Sequence, residues 1–318
     1  MSIKHDQWIR KVGLVVFTGD KGLDLSEFHI QFSVAAADVQ TPNNVSIRIY
    51  NLSDQTVSKI KGEFSQVVLN AGYVDGNYGL IFKGSIKQFR IGRVDNVTTY
   101  LDILAADGDL AYNGAVVNTS LVKGSTQNDA INVITTEMQG DKTPADITKL
   151  TVTKANVPSI RGTVLFGMAR ERLKNTASQL DASWSIQNGV VTIIDKSGYS
   201  PNDVLELNAG TGLIGVPEQT DGGIRIRCLL NSRLRIGGSV KINNAALNQL
   251  IQQNPDNGPI PFDQRAGFQY NAPISNDGIY RIFVVEHDGD TRGTAWYTNL
   301  ICLAVDASSP TNQAVADQ

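Results

Sequence analysis

Val45-Ser46-Ile47-Arg48-Ile49-Tyr50 puts an apolar side chain at every second position, the period of a strand with one buried and one solvated face. Outward from it, residues 12 to about 105 keep giving short β-prone runs broken by turn residues. Val67 to Tyr73 is followed by Asp75-Gly76-Asn77, a tight-hairpin signal because glycine tolerates positive φ. Leu80-Ile81-Phe82 leads into Gly84 to Ile91, and Thr98 to Leu104 closes the series. Regularly spaced short strands of this kind indicate a sandwich or a barrel. One helix interrupts them at Asp54–Lys61, with Asp54 as its cap and Val57 and Ile60 turned to the core.

The middle of the chain changes period. Ser125 caps an expected helix whose stripe is Ala130, Ile131, Val133, Ile134 and Met138. Thr163 opens a second, with Leu165, Phe166, Ala169, Leu173, Ala177 and Leu180 inward and Arg170, Glu171, Arg172 and Lys174 outward. Ala182 to Gln187 and Val190 to Ile194 flank Asn188-Gly189, a strong hairpin signal. The unit is α+β: helix, helix, hairpin.

From about residue 205 the strands return. Ile224-Arg225-Ile226-Arg227-Cys228 and Ser239-Val240-Lys241-Ile242 alternate strictly, and Ile279–Val285 with Thr294–Val305 make a final pair. Asn244 caps a short expected helix. Residues 254–276 hold Pro255, Pro259, Pro261 and Pro273, the composition of a long contact-making loop. The expected class is mainly β with an α+β insert. Two β domains (1–106 and 205–307) flank an α/β region (107–204), and a flexible tail covers 308–318. No sequence repeat is visible, although the outer units can share a fold.

A chain of 318 residues with 41% apolar content is long enough for two or three domains with real cores. The 28 basic and 31 acidic residues exclude nucleic-acid binding by bulk positive charge, and the modest net charge excludes wholesale disorder. Two cysteines cannot make a disulfide framework. Both lie in expected strands, where buried free thiols are the simplest state. No apolar run approaches membrane-spanning length. Asp6, Arg10 and Lys11 occupy positions that a secretory leader keeps apolar, so a soluble protein is expected.

Three groups of residues invite a chemical reading. Gly210-Thr211-Gly212-Leu213-Ile214-Gly215 has dinucleotide-fingerprint spacing, but Pro217 and a following strand leave no helix to receive a pyrophosphate. A glycine-rich connection between strands is expected, and no cofactor. His287-Asp288-Gly289-Asp290-Thr291-Arg292-Gly293 gathers an imidazole, two carboxylates and a guanidinium at a hairpin tip. Two carboxylates are too few for a calcium ion, which leaves a turn with local Asp–Arg pairing or a subunit contact. Arg225 and Arg227 share a strand face, either solvated or set against an acidic partner; residues 205–318 hold 8 basic and 11 acidic residues, too few positive charges for a phosphate-binding surface. His5, His29 and His287 are too scattered for a metal cluster.

Several segments resemble a known family. Thr211–Thr220, Gly222–Leu230 and Gly237–Val240 are similar to the last domain of phage baseplate (tail) hub proteins of contractile tails, relatives of the hub domains of type VI secretion spikes. So are Gly278–Ile282, His287–Gly293 and Trp296–Thr298, while Val45–Ser53 is similar to the first barrel of those proteins. The resemblance implies a structural, non-enzymatic homotrimer in the virion baseplate, made in the host cytoplasm. Each chain would carry two tube-like β-barrels, so that six similar units meet a sixfold tail tube above and a threefold spike below. Implied partners are the spike, the tube or tube-initiator protein and other baseplate proteins, with DNA only passing through a polar lumen and no membrane. Expected subunit or partner contacts are Asp288, Asp290, Arg292, Arg225, Arg227, Phe262, Phe268 and Tyr270. The alternative is a carbohydrate- or receptor-binding protein of the same particle, reading its ligand with Phe262, Phe268 and Tyr270 beside the Asp288–Arg292 turn. A hydrolase with converging carboxylates ranks third.

Overall fold

A computed structural model describes residues 7–39, 41–139, 148–149, 157–195, 204–220, 223–242 and 278–304. The expected helix at Asn244, the 254–276 loop with Phe262, Phe268 and Tyr270, and the 308–318 tail lie outside the described residues.

The N-terminal region forms β1 (Arg10–Thr18), β2 (Lys21–Asp24), β3 (Ile30–Ala37), β4 (Asn44–Tyr50), α1 (Asp54–Glu63), β5 (Gln66–Tyr73), β6 (Gly79–Arg93) and β7 (Thr99–Ala106). The alternation in β4 is real: Val45, Ile47 and Ile49 are buried between more exposed neighbours. Helix α1 is capped by Ser53, one residue before the expected Asp54. The Ser53 hydroxyl accepts the Thr56 amide at 3.1 Å, and Asp54 sits in the first turn, where the helix dipole favours a carboxylate.

The insert contains α2 (Asp109–Gly114), β8 (Val116–Leu121), α3 (Gln127–Gln139), β9 (Thr148–Lys149), β10 (Thr163–Met168), α4 (Ala169–Gln179), β11 (Ala182–Gln187) and β12 (Val190–Asp195). Thr126, not Ser125, opens α3: its hydroxyl accepts the Asp129 amide at 3.2 Å while the Asp129 carboxylate accepts the Thr126 amide at 2.8 Å. The expected helix from Thr163 begins only at Ala169. Thr163–Met168 instead pairs antiparallel with β8, and Gly167, at φ 117°, separates strand from helix. The β-branched Thr163 and Val164 favour extended backbone. The helical stripe was a coincidence of spacing in its first third: Leu165 is buried from the strand, and Phe166 is 64% exposed. The Asn188-Gly189 hairpin forms as expected, with both residues at positive φ.

The C-terminal region forms β13 (Val204–Leu207), β14 (Leu213–Thr220), β15 (Gly223–Leu229), β16 (Ser239–Ile242), β17 (Ile279–Asp290) and β18 (Trp296–Ala304). These strands and those of the N-terminal region belong to one 13-stranded sheet. Its hydrogen-bonded path runs β14-β15-β18-β17-β3-β4-β7-β6-β5-β1-β2, with β16 also on β17 and β13 on β16. The seam between the halves is an antiparallel ladder from Gln31↔Asp290 to Ala37↔Val284. Among the described residues the path does not close on itself.

Each half repeats one order. β3-β4-β7-β6-β5 in the first matches β14-β15-β18-β17-β16 in the second; the sixth strands differ in direction, β1 antiparallel to β5 and β13 parallel to β16. The β6/β7 and β17/β18 hairpins carry register shifts at matching places, Ile86/Gln88 and Ile282/Val284. Buried apolar side chains gather into three groups. One lies under the N-terminal strands, with Leu230 and Trp296 contributed by the C-terminal region. The second lies within the insert, and the third under the C-terminal strands.

Candidate assembly interface

The sheet face opposite these cores mixes charged residues with apolar ones such as Ile214, Val284 and Ile301. In β15, Ile224, Ile226 and Cys228 are buried while Arg225 and Arg227 are exposed. The Arg227 guanidinium lies 4.2 Å from the Tyr297 ring centroid, and Arg48 lies 4.0 Å from that of Tyr100. The two pairs occupy matching places: Arg227 stands opposite Asn299 of β18, and Arg48 opposite Asp102 of β7. Arg48 donates twice to the Asp102 carboxylate, at 2.6 and 2.9 Å, the planar fork that guanidinium suits best. A groove on this face brings Arg225 and Arg227 together with Glu218 and Glu286, so these arginines already have carboxylates of opposite charge around them.

Asp288, Asp290 and Arg292 are placed at the β17–β18 tip, and both carboxylates serve the chain itself. Asp288 accepts the Ser33 hydroxyl at 2.7 Å across the seam and the Asn299 amide at 3.2 Å. Asp290 accepts the backbone amides of Arg292 and Gly293 at 2.9 and 2.7 Å, and its Oδ1 lies 2.8 Å from His29 Nε2. Partial desolvation raises the Asp290 pKa, but these bonds outweigh it and the net shift is downward. The turn expectation therefore holds in a changed form: Asp290 takes the backbone amide of Arg292, not its guanidinium. What latches the turn is Arg10, donating to the carbonyls of Asp290, Gly293 and Thr294 at 3.0, 2.6 and 3.1 Å and lying over Trp296. Sequence reading missed it, because nothing local ties residue 10 to a turn near 293.

His287 is not a ligand in waiting. It is 4% exposed, its Nδ1 lies 2.9 Å from the Thr298 hydroxyl, and burial pushes its pKa down to about 4.

Beneath the face, Arg281 and Asp38 form an ion pair at 3% and 0% exposure. The Ser183 hydroxyl donates to the same carboxylate at 2.9 Å, and Arg281 donates to the Asp195 carbonyl at 3.0 Å. Asp38 follows β3, Arg281 lies in β17, and Ser183 and Asp195 belong to the insert hairpin, so one polar cluster ties all three regions together. The tip of that hairpin is held as well. Asp107 accepts the amides of Asn188 and Gly189, Asn188 Oδ1 accepts the Lys83 amide at 3.1 Å, and Asn43 donates to the Ile186 carbonyl at 2.9 Å. Desolvation dominates at Asp107 and raises its pKa to about 6.

Gly210–Gly215 forms a 3-10 turn running into β14, the connection between strands that was expected. Cys228 and Cys302 are buried free thiols, and desolvation raises both, Cys228 to about 12. Among the described residues no group of three or more His, Cys, Asp or Glu could hold a metal ion. No described helix is long and apolar enough to cross a membrane. Among the described residues, the ionisable groups lining a cleft of about 470 Å³ where the three regions meet are Arg233, Arg235 and His287.

Solved structures with this architecture include phage tail proteins and a type VI secretion component. The 43 kDa tail protein of prophage MuSo2 from Shewanella oneidensis is 8% identical at a TM-score of 0.57, over 95% of this chain and 99% of that one. A tail protein from Neisseria meningitidis MC58 is 10% identical at 0.56, over 93% and 96%. An E. coli component of the type VI secretion system, described as structurally similar to the T4 tail proteins gp27 and gp5, is 11% identical at 0.50, over 88% and 74%. Among curated proteins no sequence matches. At these identities what is shared is the fold, and it is that of phage tail proteins. The family is narrower: the chain belongs to the baseplate hub gp41 family, whose sequence model matches residues 45–254.

Proposed function

We propose that this chain is a non-enzymatic hub of a phage baseplate, in which three copies form a ring that adapts a sixfold tail tube to a threefold spike. The observation that carries it is the repeated strand order: two like units per chain give six around a threefold axis. The three buried groups support domains at 1–106, 107–204 and 205–307, each outer domain one tube-like half. The face that carries these arginines and carboxylates would line the bore. Arg48 is matched by Asp102, and Arg225 and Arg227 by Glu218 and Glu286, so DNA could pass without being gripped by an unbroken positive surface. Spike, tube and other baseplate proteins are the partners of this reading, with Arg292 at the exposed turn as a contact. Light scattering on the purified chain, alone and mixed with its spike, tests it: a mass of three chains is expected, and a monomer under both conditions overturns it.

A further inference from the structure

We propose that the outer face of the two-stranded sheet formed by β8 and β10 docks another baseplate protein, through an apolar segment that carries carboxylates at one end. The contact rests on the hub reading above and gives one face of the insert a partner of stated chemistry.

β8 and β10 pair antiparallel from Leu121↔Thr163 to Val116↔Met168, apart from the large sheet. Alternation splits their side chains between two faces. Val117 and Leu165 turn inward and are buried with Ile134 of α3 and Leu173 of α4. Val116, Val164 and Phe166 turn the other way and are exposed, Val164 to 71%, although valine and phenylalanine are residues that a chain ordinarily buries. Val122 and Ile160, just past the Leu121↔Thr163 end of the ladder, are exposed as well and extend the patch. The second hairpin of the insert is treated differently: β11 and β12 bury both faces.

The patch is shaped before any partner arrives. Gly124 donates its amide to the Ser159 carbonyl at 3.0 Å, and the Ser159 amide donates to the Ser125 carbonyl at 2.9 Å, so the arms carrying Val122 and Ile160 are fastened to each other. A contiguous apolar surface held in one shape marks a protein contact and costs little ordering when it is covered. Phe166 is the aromatic anchor at its centre.

The charges select the partner. Residues 115–128 and 157–170 hold Lys123, Arg161 and Arg170 and no Asp or Glu. Arg170 is taken up by Tyr112, whose carbonyl it reaches at 3.1 Å and whose ring it overlies. Lys123 and Arg161 are exposed, and both lie beyond the Leu121↔Thr163 rung, at one end of the patch. A second copy presenting the same face would bring no carboxylate to them. An apolar segment with Asp or Glu at the matching end would cover the patch and pair with both cations at its rim.

The test grows phage particles on the full chain carrying Ser120→p-benzoylphenylalanine, a photoreactive group on the same face opposite Val164, with particles grown on the unmodified chain in parallel. After irradiation the joined peptides are read by mass spectrometry. Expected is a bond to another protein, in an apolar stretch with Asp or Glu beside it. A bond to a second copy, a bond back into the same chain, a bond to a stretch without carboxylates, or no bond in particles that hold the photoreactive chain overturns the docking and leaves the hub reading standing. Particles free of the unmodified chain overturn both. Lys123→Glu with Arg161→Glu should lower incorporation into particles about tenfold, while Lys123→Arg with Arg161→Lys leaves it unchanged. Equal incorporation of the two, each folded by circular dichroism, also overturns the docking, and this comparison decides alone should the bulky group keep the chain out of particles.

Discussion

Asp38 and Arg281 meet out of reach of water, at a point where both strand-rich halves and the insert hairpin converge. Neither strand alone accounts for a charged residue at 0% or 3% exposure; the opposite charge does, since an ion leaves water only for a partner. Asp38→Ala should therefore destabilise the fold by about 3–5 kcal/mol in urea unfolding, because it strands the Arg281 charge. Asp38→Leu with Arg281→Met should cost less than Asp38→Ala. A loss under about 1 kcal/mol for the single variant would show that this pair does not join the three regions.

Asp107 and His287 set opposing responses to pH. Asp107 titrates at about 6 in the fold against 3.8 ordinarily. Its stabilising contribution is complete below about pH 4 and is lost as pH rises to 6, a change on the order of 3 kcal/mol. His287 is held at about 4 against 6.5, so its contribution is complete above pH 6.5 and is lost as pH falls to 4, by a similar amount. The two slopes nearly cancel in the native chain. Asp107→Asn should leave stability rising from pH 4 to 6.5, and His287→Gln should leave it falling. Denaturant midpoints across that range give the check; parallel profiles for the two variants would refute the assignment.

Gly289 is required by its neighbour. A Cβ there would run into the Phe32 ring, which sits edge-on to Trp296 at 5.7 Å and opposite Gly289 in the seam. Gly289→Ala should cost about 1–3 kcal/mol by overpacking. Phe32→Leu in the same chain should recover some of that loss, and thermal melts of the three variants read it directly.

Removal of the Arg10 latch should act locally. Arg10→Ala deletes three hydrogen bonds to the 290–294 carbonyls, in an exposed setting where about 1 kcal/mol is at stake. Amide exchange of residues 291–295 should speed up severalfold while exchange in β4 and β7 stays unchanged. Equal acceleration in all of them would mean that Arg10 supports the whole fold.

The alternation in Val45–Tyr50 and Ile224–Cys228 was legible because each strand buries one face, and Asn188-Gly189 because both residues must take positive φ. Thr163–Met168 misled because its apolar residues also fit a helical stripe, and strand β8, its partner, left no signal strong enough to arbitrate. The repeat was hidden for another reason. Strand order is shared between the halves while most side chains differ, leaving scattered identities such as Ile47-Arg48 with Tyr100 against Ile226-Arg227 with Tyr297 as a common trace. Nothing local marks Asp38, since residues 33–45 hold no cation to pair with it. Arg281, a lone cation in the otherwise apolar run from Ile279 to Val285, was the available clue that a buried carboxylate had to exist.

The ladder from Gln31↔Asp290 to Ala37↔Val284 also decides how the molecule bears load. Antiparallel hydrogen bonds lie across the strands, so a pull along β3 and β17 strains every rung together, whereas a pull across them would open the rungs in succession, like a zip. A tail that drives its tip through an envelope by thrust along the strands would meet the former, stiffer response, and one that wedges its protomers sideways would meet the latter.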